Sequence, residues 1–193
     1  SDVYKRQVGA PDEVADCHGL VVPGVGAFDA CMDQLLAAGA DQLIRSRVET
    51  GQPVLGICVG HQIMFSSGTE RGRHREGLGL LPGEVVRMQC ERLPHMGWNT
   101  ITSPGDSTLF TTPAERFYFV HSCAVRAVAP TPGIRISWTQ HDGEKVVAAV
   151  EAGALTSVQF HPEKSGAAGL SLLRRWVERL DDPGRAWATT PIG

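Results

Sequence analysis

The sequence predicts a three-layer α/β sandwich: a mainly parallel sheet with helices on both faces and some antiparallel strands at an edge. Two observations carry this expectation. In the first half, short continuous apolar runs alternate with segments of helical period. In the second half, segments rich in β-branched and aromatic residues are separated by Gly, Pro and Asp turns, and an amphipathic segment closes the plan.

Each element has its own signal. Gly19-Leu20-Val21-Val22 reads as a buried strand closed by Pro23-Gly24. From Ala27 to Ala38, Phe28, Cys31, Leu35 and Leu36 recur at helical spacing, and Gly39 interrupts them. Asp41 is placed to cap a second helix carrying Leu43, Ile44 and Val48, which Gly51-Gln52-Pro53 stops. Val54 to Cys58 is the second apolar strand, and Gln62-Ile63-Met64-Phe65 reads as the start of another helix. Residues 84–88, 116–120, 134–139, 145–150 and 155–160 read as strands, with His141-Asp142-Gly143-Glu144 as a hairpin turn. Ala167 to Leu180 places Leu170, Leu173, Trp176, Val177 and Leu180 on one helical face.

Composition bounds the function. A chain of 193 residues with 42% apolar content suits one domain with its own core. A net charge of −3 lacks the basic excess of a nucleic-acid binder. No apolar run approaches the roughly 20 residues of a membrane span, and Ser1 to Gln7 has no apolar signal-peptide core. Five scattered cysteines without a Cys-x-x-Cys pattern fit reduced thiols in a cytoplasmic protein, and neither a metal site nor a cofactor is expected. His18, His74, His95 and His141 have no metal-ligand spacing.

Chemistry is to be sought where strands run into loops at their carboxyl ends. At Gly56-Ile57-Cys58-Val59-Gly60-His61-Gln62, a cysteine ends a strand with glycine two residues before and after it. That is the pattern of a nucleophile elbow with sulfur in place of oxygen. A following helix N-terminus would lower the thiol pKa from about 8.5 to roughly 3.5–7.5. At Gln159-Phe160-His161-Pro162-Glu163, His161 can serve as the base and acid, with Glu163 two residues on to orient it. Most cytosolic cysteines are buried and structural, and that reading suits Cys17, Cys31, Cys90 and Cys123. Pro23-Gly24-Val25-Gly26-Ala27-Phe28 is either a tight strand–helix turn or a source of backbone N–H groups for an oxyanion. Phe117 to Ser122 is an aromatic strand with Tyr118 and Ser122 available for hydrogen bonding to a substrate.

Together these strings resemble the class I (triad) glutamine amidotransferases, and more closely the glutaminase-subunit branch that acts in imidazole glycerol phosphate synthase. The general signature is Gly56 to Gln62 with Gln159 to Glu163; Val22 to Phe28, Pro94 to Asn99, Tyr118 to Ser122 and His161 to Ser165 resemble the histidine-pathway branch. The resemblance implies Cys58 as nucleophile, His161 as acid and base, and Glu163 as its orienting carboxylate. It implies an oxyanion held by the backbone N–H groups of Val25 and Val59, and glutamine bound by Gly26, Gln62, Tyr118 and Ser122. It implies no cofactor and no metal. The implied partner is a (β/α)8-barrel cyclase that receives ammonia and makes imidazole glycerol phosphate and an aminoimidazole carboxamide ribotide. His95, Met96, Trp98, Asn99 and Lys164 would lie at that interface.

Three departures accompany the resemblance. His61 stands where this branch more often carries Met, and Cys123 where Tyr is usual. The family plan also begins with a strand, a helix and a second strand that are not recognisable here. Ser1–Gln7 is accordingly read as an unrelated leader, and Val8–Gly193 as one amidotransferase domain lacking that first unit. The alternatives are an amidotransferase component of another pathway such as anthranilate synthesis, which His61 favours, a catalytically silent interaction subunit, and a cysteine hydrolase of the same architecture.

Overall fold

The computed structural model describes residues 14, 17–111 and 115–180. The expected Ser1–Gln7 leader lies outside them. Strands β1 (Leu20–Gly24), β2 (Val54–Cys58) and β11 (Leu155–Val158) run parallel, and β10 (Glu144–Ala152) and β9 (Ile134–His141) continue from β11 in antiparallel register. Together they form a central five-stranded sheet in the order β1-β2-β11-β10-β9. The Asp142-Gly143 turn joins β9 to β10 with φ of 51° and 84°, the left-handed pair that a tight hairpin requires.

The two faces of the sheet bury different partners. Along β2, alternation sends Val54 into one core with Phe28, Met32, Ile44 and Val48, and Leu55 into another with Phe117, Phe160, Leu172 and Trp176. The first core is roofed by α1 (Phe28–Ala37) and α2 (Ala40–Glu49), the second by α4 (Gly166–Glu178). The expected three-layer sandwich is therefore present. A second sheet is built from β4 (Arg73–Glu76), β3 (Phe65–Glu70), β5 (Leu81–Arg87) and β8 (Cys123–Val125), in that spatial order. β6 (His95–Thr100) and β7 (Arg116–His121) form a separate antiparallel ribbon.

Two local expectations need correction. Asp41 lies in the first turn of α2 and does not cap it; the helix is entered through Gly39 at φ 66° with no side-chain cap. The expected helix beginning at Gln62 is instead the end of one: α3 (Val59–Gln62) is a single turn, and Phe65 already belongs to β3. The cause is tertiary. The Leu78 and Leu81 N–H groups donate to the Ile63 and Met64 carbonyls at 2.8 and 2.9 Å, and Ile63, Met64 and Phe65 are fully buried. An apolar stretch satisfied on every side by neighbouring strands gains nothing by continuing as a helix.

Three glycines let α3 sit against β1 and β2. A Cβ on Gly60 would run into the Val22 carbonyl oxygen. One on Gly24 would lie 2.5 Å from Gly60 N, and one on Gly56 2.6 Å from Gly60 O. Gly60→Ala should therefore cost about 3 kcal/mol in urea unfolding, because only backbone can yield. Gly26→Ala, at φ 88° in open space, should cost only about 1–2 kcal/mol from its left-handed backbone. Equal losses at the two positions would contradict this packing.

Candidate active site

Cys58 ends β2 in the left-handed region, at φ 58° and ψ −113°, a strained setting for a residue with a Cβ. The glycine contacts just described hold it there: Gly24 of β1 pairs with Cys58 itself. The Val25–Gly26 loop thus leaves β1 directly beside the cysteine, with Val25 exposed and Gly26 at φ 88°. Val59 follows Cys58 as the first residue of α3, and its backbone N–H acts to lower the cysteine's pKa.

His161 is delivered by the neighbouring parallel strand. Ile57 pairs with Val158, so Cys58 and the Gln159–His161 segment emerge from adjacent strands in the same direction. Phe160 anchors that segment. It is fully buried, stacked on Phe117 at 4.1 Å and edge-on to Phe119 at 5.5 Å. The His161 backbone N–H donates to the Tyr118 carbonyl at 2.9 Å. Ser165 closes the loop, its Oγ donating to the His161 carbonyl at 2.6 Å and accepting the Tyr118 N–H at 2.9 Å. Pro162 opens a 3-10 turn (Pro162–Lys164) that brings Glu163 Oε1 to 2.7 Å from His161 Nδ1. The ring is nearly buried and the carboxylate half-exposed.

One electrostatic expectation is reversed. The cysteine is not acidified: burial pushes the Cys58 thiol up to about 11, and the nearby Glu163 carboxylate and Cys31 add to the rise. The Val59 N–H and the Lys164 ammonium oppose it without prevailing. A single helical turn has little dipole to offer, and the N–H it does present is outweighed by desolvation. The sulfur therefore rests as a thiol.

The other expected residues divide. Gln62 is buried, and its Nε2 donates to the Cys123 carbonyl at 2.9 Å and to Gln159 Oε1 at 3.0 Å, which leaves its own carbonyl oxygen as the group to offer a ligand. Tyr118 is half-buried in β7, edge-on to Trp98 at 6.2 Å. Ser122 lies between β7 and β8, its carbonyl accepting the Met88 N–H at 2.9 Å. Along β6, Met96 and Trp98 point outward, and Lys164 is exposed near the same edge as Trp98 and Gly166. His95 faces the other way and is buried, and Asn99 on its face is half-buried, so strand alternation splits the expected interface set.

His61 lies in the core. Its Nδ1 is 2.8 Å from Ser157 Oγ, its ring stands edge-on to Phe65 at 5.0 Å, and burial lowers its pKa to about 3, so it is neutral. Sequence reasoning misses Ser165 and Gln159, which hold the loop and Gln62. The signal available for them is their place within strings already selected for other residues.

The chain belongs to the class I glutamine amidotransferase family, whose profile matches residues 5–180. Within that family it is similar to imidazole glycerol phosphate synthase subunit HisH. The protein of that name from Cutibacterium acnes is 51% identical over 182 residues, covering 91% of this chain and 88% of the relative. The one from Leifsonia xyli is 52% identical over 171 residues, covering 86% and 81%. Among solved structures, a glutamine amidotransferase superposes with a TM-score of 0.71 at 19% identity over 93% of this chain and 88% of that one. A putative GMP synthase component from Thermoplasma acidophilum gives 0.63 at 19% identity, covering 89% and 76%. The fold is thus shared far beyond the range of close sequence similarity.

The raised thiol pKa has a direct chemical readout. In the absence of glutamine, the iodoacetamide alkylation rate of Cys58, taken as the difference from Cys58→Ala, should climb with pH and still be rising at about pH 10. A plateau below about pH 9 would mean a thiolate at rest.

Proposed function

We propose that this chain is the glutaminase subunit of an imidazole glycerol phosphate synthase, acting in histidine biosynthesis through a Cys58–His161–Glu163 triad. The reading rests on one geometric observation above the others. The Cys58 elbow and the His161–Glu163 pair leave adjacent parallel strands at their carboxyl ends. Identity of 51% and 52% to two HisH relatives over most of the chain supports the pathway.

The steps follow from the residues. With Nδ1–H donated to Glu163, His161 keeps Nε2 as the basic nitrogen, and that nitrogen takes the Cys58 thiol proton as sulfur attacks the side-chain carboxamide of glutamine. The oxyanion of the tetrahedral adduct is received by the Val59 and Val25 N–H groups. His161 returns its proton to the departing nitrogen, the C–N bond breaks, and ammonia leaves behind a γ-glutamyl thioester. The same histidine then draws a proton from water, whose oxygen displaces sulfur and gives glutamate. Gly26, Gln62, Tyr118 and Ser122 hold the substrate. Because the thiol is uncharged at rest, proton transfer and attack are coupled, which limits reaction without substrate.

The partner is a (β/α)8-barrel cyclase that consumes the ammonia. The word "subunit" in the relatives' name supports a partnered assembly. The exposed Met96 and Trp98 with Lys164 offer an apolar, cation-edged face for docking, and His95 and Asn99 back it from inside. The alternative of another amidotransferase pathway loses its support from His61, which packs against Ser157 and Phe65.

Glutamate release from glutamine, measured alone and with the cyclase, tests the assignment. Cys58→Ala should abolish turnover. Glu163→Gln should lower kcat roughly tenfold, since a half-exposed carboxylate orients but is partly screened. Retained wild-type turnover in Cys58→Ala would refute the triad, while full activity without any cyclase would count only against the coupled partner.

A further inference from the structure

Two buried histidines outside the triad form a chain of hydrogen bonds whose direction is fixed at both ends. At one end the Cys123 carbonyl, which can only accept, lies 3.0 Å from His121 Nδ1, so that nitrogen carries the proton. His121 Nε2 is then the acceptor for His95 Nδ1 at 3.0 Å. His95 Nε2 in turn accepts from Asn99 Nδ2 at 3.1 Å. The Asn99 amide has only one orientation available, because its Oδ1 accepts the Thr100 N–H at 2.8 Å and its Nδ2 donates to the Gln140 carbonyl at 2.8 Å. Assigned from either end, the chain gives the same result: both imidazoles are neutral and both carry their proton on Nδ1.

Packing fits that state. His95 is stacked between Phe119 at 4.6 Å and His141 at 4.1 Å, and both relay histidines are buried. Desolvation is the leading cause that lowers His95 to about 3 and His121 to about 4; neighbouring histidines act in the same sense, and the Cys123 carbonyl opposes them at His121 without prevailing.

The chain ends on a group that matters. The Cys123 carbonyl accepts from His121 and also from Gln62 Nε2, whose second proton goes to Gln159 Oε1. A carbonyl with both acceptor positions filled has a defined direction, and so does the amide donating to it. We propose that His121, held by His95 and Asn99, is a positioning residue that fixes the Gln62 amide for glutamine through the shared Cys123 carbonyl. The relay starts on β6, the strand that presents Met96 and Trp98 outward, so the set of that strand is felt at Gln62. This inference rests on the reading of Gln62 as a glutamine ligand.

Imidazole nitrogen NMR on the intact chain tests the geometry without any substitution. Both histidines should appear as the neutral Nδ1–H tautomer, the opposite of the form a free histidine side chain prefers. An Nε2–H or doubly protonated signal for either at about pH 7 overturns the relay. Steady-state kinetics tests its purpose. His121→Phe should raise the KM for glutamine about tenfold with kcat within about threefold, the loss expected when one buried hydrogen-bonded link no longer holds a substrate ligand. His121→Asn, whose amide can still donate to the Cys123 carbonyl, should restore most of that KM. An unchanged KM in His121→Phe, or no rescue by His121→Asn, overturns the positioning role. Gln62→Ala serves as the separate control: if its KM is unchanged, the glutamine-ligand reading of Gln62 fails, whatever the tautomers are.

Discussion

The contact on which the site depends is between backbones. Gly60 of α3 sits against the Val22 carbonyl of β1, and Gly24 and Gly56 pack on Gly60 from the two strands. No side chain fits among them. This closeness is what allows β2 to end in a left-handed residue and turn at once into α3. The strain at Cys58 is thus borne by a rigid surround of sheet backbone, the condition under which a sparsely populated conformation persists. It also accounts for where the proposed oxyanion donors stand. With Gly24 paired to Cys58, the loop after β1 and the first N–H of α3 flank the sulfur from two sides.

Burial sets the electrostatic character of the interior around that contact. Cys58, His61, His95 and His121 are all pushed toward their uncharged forms, chiefly by desolvation. Charge enters from the solvent side, where Glu163 and Lys164 are exposed on the 3-10 turn. In the proposed triad, a neutral thiol stays unreactive until a base takes its proton. The design differs from a cysteine acidified by a long helix, because a one-turn α3 cannot offset the loss of water.

Much of this is legible in the sequence, and the reasons for what is not are physical. β2 can be read with its observed ends, since a continuous apolar run between Pro53 and the Val59–Gly60 turn has few other readings. The His141–Glu144 hairpin is equally plain, because Asp-Gly encodes the backbone angles of its turn. Strands β3, β4, β6 and β8 escape such a reading. β4 is Arg-His-Arg-Glu, polar at every position, and exists because Thr69 and Gly68 of β3 pair with His74 and Arg75. Short strands made by pairing leave little trace in periodicity. The pairing of His161 with Glu163 follows from local spacing, but the clamp by Ser165 and the acceptor role of Gln159 depend on strands distant in the chain. The thiol pKa is misjudged from sequence for a related reason: a sequence shows that a helix follows, and only the fold shows how short it is and how deeply the sulfur lies.

The β6–β7 ribbon is the place where these points meet. It belongs to neither main sheet, yet it is pinned along its length: Tyr118 is tied to His161 and Ser165, Asn99 to β9 through Gln140, and Phe117 and Phe119 to the aromatic cluster around Phe160. Strand alternation then gives it two faces of opposite use. Met96 and Trp98 stand outward with nothing of the described chain covering them fully, and His95 and Asn99 turn inward to the hydrogen-bonded histidines. The ribbon is fixed by its buried aromatics and side-chain ties, as β1, β2 and β11 are fixed by the glycine contact under Cys58. Cys58 is therefore built on the glycine-packed strands, and the ribbon holds the His161 loop against them through Tyr118.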